Sequence, residues 1–401
     1  MSALNLTSFD AMLKAFYTNK KIESLVYPDN PLLAMMPKNM NTGGKYHVVP
    51  MKYGNTVGTS ATFATASSNK GASKYEDFLV TRVKYYSLAD IDNETILSSK
   101  NNSAAFMAAA TSEIDSAIQA ATRNLGLSMF GNKSGAIGIV SSTSTETITL
   151  NQIQDISNFE VGQKLQFADA EVTGGIKSNT ADNGTIASIN RSLGTVTMTA
   201  GDAAAVAWAD GDFIFHEDDR NLKMAGLGAW IPTTAPTSGD SFYGVDRSVD
   251  VTRMAGLRED YSGAPIEEAI IDLANKISRE GGRPDVCFIS FDKFADLVKS
   301  LGSKVQYINT KVADFGFSGI SIIGPKGIIK VIPDQNCPHS KMYILTLSSW
   351  ELVSLGPCPQ LLTQDGLRVL RNASSDSIEV RVGYYGNIVN HAPGFSGVGT
   401  F

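Results

Sequence analysis

Three cysteines in 401 residues, Cys287, Cys337 and Cys358, are odd in number and show no CxxC spacing. They exclude a disulfide framework and a thiolate zinc site, and they suit a reducing cytoplasm. The four histidines, His47, His216, His339 and His391, lie far apart with no HExxH pattern, so metal-dependent hydrolysis has no support. Charge of one sign is also scarce in excess: 34 basic against 40 acidic residues leave a formal charge of −6. Wholesale electrostatic attraction to nucleic acid is therefore excluded, and any DNA contact must be local or weak. No stretch of about 18 apolar residues occurs, and the first residues lack a basic and apolar leader, so neither membrane insertion nor secretion is expected.

What is present is a chain with 43% hydrophobic residues, enough for two or three domains. Its longest uninterrupted pattern covers 103–130. Phe106, Ala110, Ile114, Ala117, Ala121 and Leu125 recur three or four residues apart, with Glu113, Asp115, Gln119 and Arg123 between them. This predicts one long amphipathic helix, capped by Ser103 and stopped at Gly131, on which the other elements pack.

Upstream, 1–44 begin with a short amphipathic helix carrying Phe9, Met12, Leu13, Phe16 and Tyr17 on one face. Pro28, Pro31 and Pro37 then favour an extended, apolar path. Such an arm must lie on the body of its own subunit or of another. Residues 45–86 predict a two-stranded ribbon, 45–51 out and 78–86 back, around a Gly- and Ser-rich tip. A lone ribbon is marginal in water and needs support from neighbours.

Downstream, 135–222 change texture to short strands at 137–140, 147–150, 165–167, 185–189, 195–198 and 213–215, with turns at Asn183-Gly184 and Leu193-Gly194. They predict a small all-β insertion whose interior is Phe159, Val161, Leu165, Phe167, Ile186, Val196 and Phe213. Residues 264–357 alternate helix and strand. Pro265, first-turn Glu267 and Glu268, last-turn Lys276 and Arg279, and Gly281-Gly282 bound a helix burying Ile266, Ile270, Leu273 and Ile277. A buried strand at 286–290 and a helix at 291–301 follow. Strand-like runs at 366–370, 377–385 and 388–390 are expected to return to the long helix.

The passage Arg283-Pro284-Asp285-Val286-Cys287-Phe288-Ile289-Ser290-Phe291-Asp292-Lys293-Phe294-Ala295-Asp296-Leu297, running on to Gln306-Tyr307, resembles a recurring segment of tailed-bacteriophage major capsid proteins. The order of the remaining pieces is similar too, through Ile328-Ile329-Lys330-Val331-Ile332-Pro333-Asp334 to Tyr343-Ile344-Leu345. The resemblance implies an α+β fold of the Hong Kong ninety-seven type. Its parts are an N-arm (1–44), an E-loop hairpin (45–86), a P-domain with the spine helix (87–134), the inserted β domain (135–222), a P-domain connection (223–263), an A-domain (264–357) and C-terminal P-domain strands (358–401).

It also implies a coat protein that self-assembles into hexamers and pentamers of an icosahedral head around double-stranded DNA. Assembly would take place in the host bacterial cytoplasm, and portal, scaffolding and decoration proteins are the implied further partners. Candidate intersubunit contacts are Leu25, Tyr27, Leu32, Met35, Tyr46, Lys70, Lys74, Phe78 and Tyr85. Lys70 and Lys74 are the lysines to weigh, because the family's type member joins a loop lysine to a neighbour's asparagine. Most such lysines are simply solvated.

No catalytic constellation emerges, and no cofactor is implied. His216-Glu217-Asp218-Asp219 has the oxygen donors for a divalent cation but reads more simply as a solvated turn. Gly226-Leu227-Gly228 and the glycines of 394–399 read as loop glycines rather than dinucleotide loops. Cys287 reads as core. A phage tail or adhesion protein built on the β insertion, and an α/β enzyme built on 264–357, are the alternatives. The enzyme would need a convergent polar site.

Overall fold

A computed structural model describes residues 19–26, 30–92, 103–177, 184–202, 207–301, 319–363, 366–372 and 375–401. The expected helix near residue 8, Tyr27 and the Gln306-Tyr307 segment lie outside them.

The spine helix is Ser103–Phe130, 28 residues and hence about 42 Å long. Ile114, Ala117, Ala121 and Leu125 are buried, as is Ile118, while Glu113, Gln119 and Arg123 face solvent. Phe106 and Ala110 belong to the part whose side chains are not described. Beyond Ala121 burial spreads around the helix and takes in Thr122, Asn124 and Ser128. Thr122 and Ser128 satisfy their hydroxyls by donating to the carbonyls of Ile118 and Asn124, one turn back.

Against this helix lies a sheet organised by one long strand, Ser377–Asn390. It pairs antiparallel with Val83–Asp92 over ten positions, and with Trp350–Ser354, Gln360–Leu361 and Val369–Arg371. Lys38–Asn39 of the arm adds a parallel edge to Trp350–Ser354. The strand at 350–354 therefore belongs to this sheet and not to the A-domain where its sequence position put it. The expected return strand 78–86 is likewise two strands. Lys74–Thr81 pairs with Tyr46–Gly54, and after Arg82 the chain changes partner to Ser377–Asn390.

A second six-stranded sheet, in the region expected as the A-domain, has the order Leu257–Asp260, Gly397–Thr400, Lys341–Leu345, Val286–Ile289, Gly327–Pro333, Ile320–Gly324. The helices Ile266–Arg279 and Phe291–Leu301 go with it, the first burying Ile266, Ile270, Leu273 and Ile277 as its periodicity requires. Two of the glycines expected in a terminal loop, Gly397 and Gly399, are instead in a central strand. A Cβ on Gly397 would stand 3.0 Å from Leu273 Cδ1, so its bareness lets sheet and helix close together, while one on Gly399 would stand 2.5 Å from Cε of Met342 on the adjacent strand.

Residues 138–216 form a closed six-stranded barrel of Gly138–Ser144, Thr147–Leu150, Lys164–Ala168, Gly184–Asn190, Thr195–Met198 and Phe213–His216. Closure leaves no free strand edge. Phe159, Leu165, Phe167, Ile186 and Val196 are buried inside it. Val161 is not, being 63% exposed in a turn closed by Gln163 N–H donating to the Glu160 carbonyl. Phe213 is only half-buried, because the strand turns Ile214 into the barrel core instead, while Phe215 is buried on the opposite face beneath Arg220. The barrel touches the spine through Leu127 and the Arg123–Glu160 ion pair, and touches the A-domain where Gln154 Nε2 donates to Asp292 Oδ2 at 2.6 Å. Residues 135–222 expressed alone are expected to melt cooperatively by circular dichroism. A broad, featureless melt would mean that the spine supplies part of the barrel's core.

Candidate assembly interface and its buried anchors

In the hairpin Tyr46–Gly54 and Lys74–Thr81, side chains alternate faces. Val49, Met51, Phe78 and Val80 turn inward and are buried. Phe78 packs on Trp230 at 5.3 Å between ring centres and on Phe242 at 6.2 Å. Trp230 is fixed in turn by donating Nε1–H to the Ile388 carbonyl at 3.0 Å. The ribbon thus stands on an aromatic foot of its own chain, supported without a neighbour at its base.

The outward face is different. Val48 and Leu79 are directly paired across the ribbon and are 50% and 42% exposed, with Tyr46 beside Val48 and Tyr75 further along, 61% exposed. Near the tip, Phe63 at the start of the short helix Phe63–Ser68 is 89% exposed. An apolar row of this kind marks an interaction surface.

The candidate contact residues separate accordingly. Tyr46, Lys70 and Lys74 are exposed on the ribbon. Leu25 and Met35 are half-buried against the core of their own subunit. Leu32 and Phe78 are fully buried in that core, so those two side chains have no surface left for a neighbour. Tyr85 is engaged within the chain as well, stacked on Tyr384 at 5.6 Å and lying 4.5 Å beneath Lys223 Nζ. For the arm from Ile22 to Thr42, the strap on its own core is the observed arrangement. The reason is visible in its pattern, since Leu32, Leu33 and Met36 turn to one side of a single helical turn beginning at Pro31.

Two anchors were not visible in the sequence. Asn387, buried in the long strand, donates from Nδ2 to the Thr81 carbonyl at 2.7 Å and to Tyr243 OH at 2.8 Å, while its Oδ1 accepts from Ala225 N–H. It ties the hairpin base to the sheet. At the second anchor, Asn30 of the arm, Asn336 and Asp334 meet over Gly126 of the spine. Asn336 Nδ2 donates to Asn30 Oδ1 at 3.0 Å and to Asp334 Oδ1 at 3.2 Å. A Cβ at position 126 would fall 2.1 Å from Asn30 Oδ1, which explains a glycine inside a helix that it weakens by about 1 kcal/mol.

Burial pushes the Asp334 carboxyl up to about 6 from 3.8, against the hydrogen bonds from Asn336, and its Oδ2 has no side-chain partner. The folded state thus favours the protonated acid. Its contribution to stability is complete below the unfolded value and lost as pH rises through about 6. The loss is on the order of 3 kcal/mol at about 1.4 kcal/mol per unit. Asp155 shifts in the same sense and His216, held neutral by burial, in the opposite one. The difference between wild type and Asp334→Asn isolates the share of Asp334. Urea unfolding from about pH 4 to about pH 7 is expected to show this loss in the wild type and not in the variant.

Asp219 pairs with Lys223 at 2.5 Å, and Asp218 accepts from Gln166, so the acidic turn spends its oxygens on protein donors. Among the described residues no three His, Cys, Asp or Glu side chains are grouped to hold a metal ion, and no helix is long and apolar enough to cross a membrane. All three cysteines are free and buried, which pushes their thiols up and away from reactivity.

Residues 214–367, less than half of the chain, match the family described as SU10 major capsid protein. The solved capsid asymmetric unit of cyanophage A-1(L) aligns over 93% of this chain and 92% of its own, at 14% identity and a TM-score of 0.53. The chain has the α+β fold of the Hong Kong ninety-seven type. Weaker similarities are to a chain of the satellite phage P4 procapsid (10% identity, 98% and 96% coverage, TM-score 0.40) and to Mycobacterium phage Adephagia (11%, 100% and 98%, TM-score 0.41). No curated protein matches the chain. The outward row of the hairpin remains the exposed apolar surface of this ribbon.

Proposed function

We propose that this chain is a major capsid protein that assembles into hexamers and pentamers of an icosahedral head, with the E-loop hairpin of each subunit laid across its neighbour. The observation that carries the proposal is the outward apolar row of Tyr46, Val48, Tyr75 and Leu79, opposite a face already satisfied inside the chain. Lys70 and Lys74 lie near the free end of the same ribbon, where the neighbour is reached. Assembly takes place in the host cytoplasm, and portal, scaffolding and decoration proteins complete the particle. A formal charge of −6 suits a wall that touches packaged double-stranded DNA only weakly and non-specifically. The barrel, with no unpaired strand edge, stands on the outer side of the shell, where insertions are tolerated.

The variant Val48→Glu/Leu79→Glu places two like charges directly across the ribbon on its solvent side. It is expected to remain soluble and to melt like wild type yet form no shells under electron microscopy. Normal shells from this variant would remove the ribbon from the contact between subunits.

A further inference from the structure

Lys223 is the most deeply enclosed lysine described, its side chain 6% exposed where the chain leaves the barrel. Its Nζ is 2.5 Å from Asp219 Oδ2 and 3.1 Å from the side-chain oxygen of Asn124 on the spine helix. The Tyr85 ring covers it at 4.5 Å, and the hydroxyl of Ser128 lies 3.5 Å from the same Asn124 oxygen. An amine, a carboxyl group and a carboxamide are thus packed together in a site largely closed to water. From this geometry we infer that Lys223 and Asn124 react to form an isopeptide bond within the chain, with Asp219 as the proton carrier.

The chemistry needs nothing that the site does not hold. Burial is the largest influence on Lys223 and lowers its pKa, which favours the neutral amine that a nucleophile requires. Transfer of the ammonium proton to Asp219 makes that amine and a neutral carboxylic acid together. Nζ then attacks Cγ of Asn124, and the Cγ–Nζ bond forms as the Cγ–Nδ2 bond breaks. Asp219 gives its proton to Nδ2, which departs as ammonia, and recovers the proton that Nζ sheds. One ammonia is lost and nothing is oxidised or reduced. Amide aminolysis is slow between free molecules, but held reactants gain effective concentrations of roughly 10⁵–10⁸ M. This bond differs from any cross-link made by the ribbon lysines, because both groups belong to one chain and lie inside it, so it forms on folding without a neighbour. Since 99 positions separate the two residues, the bond would enclose the whole barrel in a covalent loop anchored on the spine.

The test is the intact mass of the purified full-length protein, unassembled and denatured, followed by tryptic mapping. The expected wild-type chain is lighter than its sequence by one ammonia, resists cleavage after Lys223, and yields a branched peptide joining the segments around Asn124 and Lys223. Lys223→Arg and Asp219→Asn are expected to restore the full mass while cooperative melting shows them folded. A wild-type chain at full mass with unlinked peptides would overturn the inference and leave an ion pair only. A chain lighter by one ammonia but with Lys223 cleaved normally and no branched peptide would overturn it too, since that is the signature of asparagine cyclisation.

Discussion

Ile114→Asp is expected to abolish soluble expression, whereas Gln119→Asp, five residues on along the same helix, leaves melting unchanged within about 0.5 kcal/mol. Ile114 has no exposed surface and shares one apolar core with Ile22, Ala89, Val380 and Val382, and the arm helix, the long strand and its partner strand each touch the spine helix. A carboxylate there loses the apolar contacts of isoleucine and must either stay charged without a partner or take up a proton. Each course costs several kcal/mol. Against a typical total of 5–15 kcal/mol, that is enough to populate unfolded chains. Gln119 faces solvent, and a charge there meets only water. The measurement is chemical unfolding of both variants beside wild type. Equal midpoints for all three would show that the stripe is not core and that the spine does not organise the fold.

The second large effect is that of removing the arm through Met40. The arm's apolar content alone, taken from the sequence, leads to a soluble chain that fails to assemble. The structure leads elsewhere, to a chain that does not fold. Val26, Leu32, Leu33 and Met36 are all buried in the subunit's own core. At about 1.5–3 kcal/mol for each buried side chain, their loss amounts to an upper estimate on the order of 6–12 kcal/mol. The Trp350–Ser354 strand also loses its parallel partner and the Pro37 carbonyl that accepts from Leu352 N–H at 2.8 Å. Aggregated or protease-sensitive protein is the expected result. A soluble truncated chain with a cooperative melt near that of wild type would show that these contacts are dispensable.

Much of this fold can be read along the chain wherever one element carries its own signal. The spine helix, the capped helix Ile266–Arg279 and all six barrel strands announce themselves through periodicity and turn residues over a few neighbouring positions. What cannot be read is partner choice at long range. Lys38–Asn39 is too short to show any alternation, and it becomes a strand only because Trp350–Ser354 offers an edge. Gly397–Thr400 looks like a loop until two strands far upstream enclose it. The return strand breaks at Arg82 for the same reason, a change of partner within an unbroken run of β-forming residues. The interface obeys the same division. Alternation along the hairpin predicts two faces, but only the packing of Phe78 on Trp230 decides which one stays exposed. Asn387 carries no local signal, because its side chain meets Thr81, Ala225 and Tyr243, all more than a hundred residues away, and Lys223 shows locally only its pairing with Asp219 and not the meeting with Asn124 and Tyr85.

Copies of this chain are expected to close into a shell, and imaging the purified full-length protein by cryo-electron microscopy tests this most directly. The account predicts closed particles whose walls resolve into rings of six and five subunits, with the hairpin of each subunit lying over its neighbour. A population of small discrete oligomers, or of open tubes and fibres, would contradict it.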